Sequence, residues 1–216
     1  MTLRAVVFDV GETIIDETRA WSSWADWLGI SRLTFLAVCG AVIERGGDHL
    51  EPFRILRPGL DLRDELAKRE AAGVPDVITV DDFYPDAVPC LRAIHDAGYR
   101  IGVAGNQPAR ADAAIEAIDL PVDLVGSSAR WGVEKPDPRF FARIVAELDL
   151  APSEIAYVGD RLDNDVRPAA AAGLQAIFLR RGPWAWIQAP DGNPPEAALT
   201  VGSLAELPEA LATRFR

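Results

Sequence analysis

At 216 residues, with 33 acidic against 22 basic side chains and a formal net charge of −11, the chain has the size of one domain, or of one domain carrying an insertion. A hydrophobic share of 49% beside 25% charged residues excludes a disordered or fibrous protein, and no apolar run reaches the ~20 residues that span a bilayer. The acidic balance repels nucleic acid and anionic membranes at long range, while a local metal ion or lysine still allows a small anionic substrate.

Ala5-Val6-Val7-Phe8 is a short continuous apolar run that closes on Asp9, with Gly11 and Thr13 following, and it predicts a buried parallel strand. No small-residue cleavage pattern precedes it, so a signal peptide is not expected and a cytoplasmic location is. From residue 17 to residue 82 no strand-like run occurs. Trp21, Trp24 and Leu28 stand at helical spacing, as do Leu33, Leu36, Gly40 and Ile43, and a third stripe runs through Leu62, Leu66 and Arg69. This stretch predicts a small all-helical insertion with hinges near Asp16-Glu17 and Asp81–Phe83.

Beyond it, strand and helix patterns alternate. Leu91, Ile94 and His95 share a helix that Gly98 ends, and the runs Ile101–Ala104 and Val122–Val125 read as strands. Asp137 caps a helix with Pro138 at its first position and an apolar stripe through Phe140, Phe141, Ile144, Val145 and Leu148. Ile155–Val158 and Ala176–Leu179 are two more strands. An irregular stretch from Gly182 to Pro195 precedes a last edge strand at Ala198–Val201 and a helix from Ser203 to Leu211. The fold class is therefore α/β, with a doubly wound parallel, Rossmann-like sheet core over 1–16 plus 83–216 and an inserted helical domain over 17–82. Cys39 and Cys90 read as buried free thiols in a reducing compartment.

Ligands of such a sheet bind at the carboxyl ends of its strands. Asp9 closes the first strand, Asp160 closes the fourth and is followed by Asp163, Asn164 and Asp165, and Lys135 precedes the capped helix. Carboxylates converging on one crevice repel one another unless a proton or cation intervenes, and Mg²⁺, which takes a few carboxylates and keeps several waters, is the natural partner. Lys135 is one of only two lysines, Lys68 being the other, and beside that cluster it can pair a carboxylate and hold an anion. A carboxylate nucleophile, a metal and a positive clamp are the parts of phosphoryl transfer.

On these residues the chain resembles the haloacid dehalogenase superfamily over nearly its whole length. Val7-Phe8-Asp9-Val10-Gly11-Glu12-Thr13 is similar to the first motif, Val103-Ala104-Gly105-Asn106 falls where the second places Ser or Thr, Lys135 matches the third, and Gly159-Asp160 through Asn164-Asp165 matches the fourth. The insertion lies between motifs one and two, where members with a helical cap carry it. The resemblance implies a Mg²⁺-dependent hydrolase, a phosphatase on a small phosphorylated metabolite. Asp9 would be the nucleophile, Thr13 would position the first-motif loop, and Lys135 would hold Asp9 and the transferring group. The metal would be held by Asp9, the Gly11 carbonyl, Asp160 and Asp165, the choice of Asp165 over Asp163 resting on the family's Asn-Asp pairing.

Two departures stand against that pattern. Gly11 replaces the aspartate that serves as general acid and base in the family's phosphatases, a role worth typically ~10²–10⁴-fold. Gly105 replaces the hydroxyl expected to bond the transferring group. Glu12 could turn inward as the missing carboxyl, and Asn106 could donate an amide to the substrate in place of that hydroxyl. Three readings follow: a hydrolase for leaving groups that need no proton, a degenerate member that binds Mg²⁺ and an anion, and dehalogenase-type chemistry. Phosphonate hydrolysis would need Lys68 as the cap lysine.

Other residues carry a structural reading beside the functional one. Trp21, Trp24 and Trp27 could line a substrate pocket or form the core of the insertion, and Trp184 and Trp186 are read with the same caution. His49 reads as a solvated loop residue and His95 as structural, near a helix C-terminus. Arg45, Arg54, Arg57 and Arg63 could steer anions or form solvated faces. The partner expected is a small anion rather than nucleic acid or membrane, and the assembly a monomer or homodimer.

Overall fold

The computed structural model describes residues 2–116 and 122–215. The chain divides into two compact units, Met1–Asp16 with Val80–Arg216, and Glu17–Thr79. The helical stretch thus ends at Thr79 rather than at residue 82. Asp16 donates its backbone N–H to the Asp82 carbonyl (2.8 Å), and Ile15 bridges Phe83 in antiparallel fashion, which ties 80–83 to the α/β unit.

That unit is built on six parallel strands, β1 (Ala5–Phe8), β2 (Arg100–Gly105), β3 (Leu124–Ser127), β4 (Ile155–Gly159), β5 (Gln175–Leu179) and β6 (Leu199–Val201), in the order β3-β2-β1-β4-β5-β6. The chain runs outward from β1 to β3, then returns to β1's other edge and runs outward again. The order reverses between β1 and β4, and a doubly wound sheet opens its crevice at that switch point. Phe8 is in register with Val103 on one side and Val158 on the other, so Asp9, the next residue, leaves the sheet at the switch point.

β3 begins two residues later than its apolar run. Asp123 is used to anchor Ile101, accepting that residue's N–H at 2.8 Å, and the ladder continues through Gly126 and Ser127 instead. Gly126 lies directly under the Trp131 indole, where a Cβ would collide, and a glycine and a serine mask the strand in the sequence. The helix Pro138–Leu148 follows its stop and start signals closely: the Asp137 carboxylate accepts the Arg139 N–H (2.8 Å), Pro138 opens the first turn, and Asp149 ends it at φ 49. Its buried face, Phe140, Phe141, Ile144 and Leu148, packs on β4 through Phe141 against Tyr157 edge-on at 5.3 Å. The expected C-terminal helix appears as a 3-10 turn, Leu204–Glu206, and a helix Leu207–Arg214.

The second unit holds four helices, Thr18–Trp27, Arg32–Glu44, Glu51–Leu56 and Leu62–Ala71. Trp24, Phe35 and Phe53 form its centre, with Trp24 edge-on to Phe53 at 5.1 Å and Trp21, Trp27, Leu62 and Leu66 packed around them. Within this unit Trp24 is therefore core, with Trp21 and Trp27 partly buried against it. Arg69 extends the Leu62–Leu66 stripe as a buried guanidinium, 4.2 Å from the Trp24 ring and bonded to the Ser23 carbonyl and hydroxyl. The second helix corrects the expected stripe: Leu33 is 80% exposed and Leu36 39%, while Phe35, Val42 and Ile43 are buried. This helix is apolar nearly all round, so spacing selects no face, and the large Phe35 ring takes the inner position against Trp21 and Phe53. Arg45 and Arg54 pair with Glu51 and Asp48 on the unit's surface, and His95 of the other unit is exposed beside Asp96. Among the described residues no single helix is long and apolar enough to cross a membrane.

Candidate active site

Asp9 donates its backbone N–H to the Val158 carbonyl (2.8 Å), the last ladder bond before the chain leaves the sheet. The next residues turn back at once. The N–H groups of Thr13, Ile14 and Ile15 all point to the Val10 carbonyl, and Glu12 donates to Ile15 while sitting at φ 52. A non-glycine residue in the left-handed region is uncommon and is held there by its surroundings. Gly11 lies in this turn, bridged to Ile15.

Lys135 comes from the irregular segment before the Asp137 cap, and its Nζ donates to Asp9 Oδ1 and to Asp165 Oδ1 at 2.6 Å each. All three side chains are buried. Burial pulls the lysine's pKa down, but the Asp165 and Asp9 charges more than reverse this and hold it well above its ordinary value, so it is an ammonium. The second Asp165 oxygen accepts the Arg161 N–H (3.0 Å), a bond set up by the π-turn Leu162–Val166 after β4. A Cβ on Gly159 would lie 2.5 Å from the Asp165 carboxyl carbon, so only glycine lets this carboxylate fold back over the strand end.

Asp160 completes the cluster. Ligand atoms of Asp9, Asp160 and Asp165 all lie within 4.8 Å of one another. Asp160 Oδ2 is buried with no hydrogen-bond partner among the described residues. Burial, then the charges of Asp165, Asp9 and Glu12, push the Asp160 carboxyl well above the usual carboxylate range. Asp163, by contrast, turns out to pair with Arg161 (2.9 Å), so the geometry brings Asp165 and not Asp163 to the cluster.

Three expectations change. Asn106 is engaged by a backbone rather than standing free for a substrate: its Oδ1 accepts the Lys135 N–H (2.8 Å) and one Nδ2 hydrogen goes to the Lys135 carbonyl (2.9 Å). Gly105 is a close-approach position, because a Cβ there would lie 2.6 Å from Asp9 Oδ1. Glu12 is buried, but its Oε2 accepts the Tyr84 hydroxyl (2.7 Å) and its side chain packs on Gly182, outside the carboxylate trio. Burial and then the Glu12 carboxylate push the Tyr84 phenol far up, so it stays a donor. Thr13 is buried, its hydroxyl without a partner among the described residues, while its carbonyl accepts Arg181 Nη1 at 3.1 Å. Arg181 also pairs with Asp86 and lies 4.1 Å over the Tyr84 ring.

Tyr84, Arg181 and Arg161, the last stacked 3.6 Å from Trp184, are neighbours of the site that the sequence reading did not single out. Arg161 and Arg181 follow strands β4 and β5, so strand-end position was the signal available for both, whereas Tyr84 has no such mark.

The haloacid dehalogenase-like hydrolase model matches residues 3–173. Among curated relatives, a glyceraldehyde 3-phosphate phosphatase of Methanopyrus kandleri is 31% identical over 65% of this chain and 63% of its own length. An (S)-2-haloacid dehalogenase of Burkholderia cepacia is 29% identical over 57% of this chain and 53% of its own. The matches span from about a third to just under two thirds of the length of the first curated relatives. Among solved structures, a phosphatase of the same superfamily from Thermococcus onnurineus superposes with a TM-score of 0.63 at 24% identity, covering 99% of this chain and 100% of that one, a likeness of fold. With four motifs converging on one crevice of a doubly wound sheet and a family match over most of its length, the chain belongs to the haloacid dehalogenase-like hydrolase family.

Proposed function

We propose that the chain is a Mg²⁺-dependent phosphatase for a small phosphorylated metabolite, working through a phosphoryl group carried on Asp9. The observation that carries this reading is the buried trio Asp9, Asp160 and Asp165, in which one ammonium serves two carboxylates and Asp160 Oδ2 has no partner among the described residues. Three hard oxygen donors with surplus negative charge fit Mg²⁺, and Asp9, Asp160 and Asp165, with the Gly11 carbonyl, would hold it. Bound there, Mg²⁺ would offset the negative charge of the transferring group. Lys135 holds Asp9 in place through its Nζ–Oδ1 bond, and its ammonium attracts the substrate anion.

In the first step an Asp9 oxygen attacks phosphorus and the bond to the leaving oxygen breaks, its electrons going to that oxygen. Water then displaces the phosphoryl group from Asp9 as inorganic phosphate. With Gly11 where an acid would protonate the leaving oxygen, the preferred substrates are those whose leaving group is stable as an anion, an acyl phosphate above all. The phosphatase of Methanopyrus kandleri, 31% identical over 65% of this chain, supports phosphoryl over halide chemistry. The partner is then a small anion, nucleic acid and membrane lying outside the reading, and the two free thiols suit a reducing cytoplasm.

Steady-state hydrolysis of acetyl phosphate and p-nitrophenyl phosphate, with and without Mg²⁺, tests this for wild type and Asp9→Asn. The expected result is turnover that needs both Asp9 and Mg²⁺ and is faster on acetyl phosphate. Equal rates for wild type and Asp9→Asn on both compounds would contradict it and favour an anion-binding role or dehalogenation.

A further inference from the structure

The strand end that should contact the transferring group is occupied with something else. Lys135 lies outside any helix or strand, so its backbone N–H and C=O have no ladder to join, and buried backbone groups require partners. Asn106 supplies both, accepting the N–H at 2.8 Å and donating to the C=O at 2.9 Å. A side-chain amide is one of the few groups that can face a peptide unit with an acceptor and a donor at once, and the two bonds fix which way the amide points. From the backbone so held, the flexible four-carbon stem carries Nζ to Asp9 and Asp165 at 2.6 Å each. The glycine before Asn106 completes the arrangement, because Asp9 Oδ1 lies where a Cβ on Gly105 would come within 2.6 Å of it.

We infer that Asn106 is a positioning residue whose amide fixes the Lys135 backbone so that its ammonium bridges Asp9 and Asp165, with Gly105 leaving the notch in which Asp9 meets that ammonium. The second-motif segment thereby acts on the nucleophile and its lysine. Its kinetic consequence rests on the phosphatase reading, whereas the geometry does not. A misplacement of about 1 Å at a reacting group can cost on the order of 10²-fold in rate. Loss of the amide is therefore expected to appear in kcat, with KM little changed.

The chain's own composition provides a readout independent of turnover. Lys135 and Lys68 are its only lysines, and the Lys68 side chain is 61% exposed whereas that of Lys135 is 1% exposed. In protein grown with heavy-nitrogen lysine, nuclear magnetic resonance of the ammonium groups should give one signal protected from water exchange, that of Lys135. Asn106→Ala is expected to shift that signal or lose it to exchange. Ser128→Ala, a control at the start of the helix Ser128–Trp131 whose hydroxyl donates to the Gln107 carbonyl, should leave it unchanged.

Asn106→Asp retains an acceptor for the N–H but sets an oxygen against the Lys135 carbonyl, and it decides the matter if the alanine variant does not fold. A Lys135 signal identical to wild type in a folded Asn106 variant overturns the inference. On acetyl phosphate, kcat should fall by about tenfold or more with KM within about threefold. A rise in KM at unchanged kcat would instead return Asn106 to substrate binding and also overturn it. Should the wild type turn nothing over, the phosphatase reading fails while the resonance experiment still decides this one.

Discussion

The two sides of the carboxylate centre are finished differently. On the lysine side the polypeptide supplies the partners: Nζ serves Asp9 and Asp165, the second Asp165 oxygen takes the Arg161 N–H, and the Lys135 backbone is held by Asn106. On the Asp160 side a buried carboxylate oxygen has none among the described residues. Buried polar groups are normally satisfied, and an exception calls for a physical reason. One side is completed by the polypeptide alone, and the other holds a surplus of negative charge that a cation would relieve. The contrast separates what folding fixes from what a bound group would add.

The largest effect should come from breaking the lysine side. Lys135→Met leaves two buried carboxylates beside Asp160 without their ammonium, and removing one partner of a buried pair costs about 3–5 kcal/mol. For a chain of this size that lowers Tm by about 6–20 °C, and turnover should be lost with it. A melting curve superimposable on wild type would mean that the bridge does not hold the site together.

Asp160→Asn should act in the opposite sense. It removes a charge that burial and its neighbours oppose, so metal-free protein should melt about 2–4 °C higher, equivalent to about 1 kcal/mol, while the rise in Tm on adding Mg²⁺ disappears. Because the folded-state pKa of Asp160 is raised, the folded protein binds the proton more tightly than the unfolded chain. The penalty from Asp160 is therefore absent below the unfolded carboxyl pKa and grows as pH rises toward the folded one. The advantage of Asp160→Asn over wild type should accordingly widen as pH rises above the unfolded carboxyl pKa. An advantage that shrinks over that range would contradict the assignment.

Gly105→Ser sharpens the same contrast from the strand end. Restoring the family's side chain should lower kcat by roughly tenfold, because its Cβ displaces Asp9 from the ammonium. Faster turnover in that variant would show that the missing hydroxyl matters more than the notch. Tyr84→Phe, farthest from the trio, should cost about 1 kcal/mol by leaving Glu12 one bond short, with kcat within about threefold of wild type. A large loss of turnover there would move Glu12 and Tyr84 into the chemistry.

Strand ends were the readable part of this molecule. Asp9, Asp160 and Asp165 follow short apolar runs whose length and closure are local properties, and the parallel sheet brings them together without further information. What was not readable depends on tertiary contacts. The Asn106 amide could have met a substrate or a backbone, and nothing near it in sequence says that residue 135 arrives opposite. Glu12 is turned toward Tyr84 by a left-handed backbone conformation, a property invisible in spacing. The face of the helix Arg32–Glu44 was misread for a different reason: apolar residues surround it, so periodicity carries no direction and ring packing decides.

The most direct measurement is to mix the protein with acetyl phosphate and Mg²⁺, quench in acid within the first turnover, and locate any phosphoryl group by peptide mass. The account predicts one phosphoryl group on the peptide carrying Asp9, absent without Mg²⁺ and absent in Asp9→Asn. Turnover with no phosphoryl group on the protein, or with one on another residue, would contradict it.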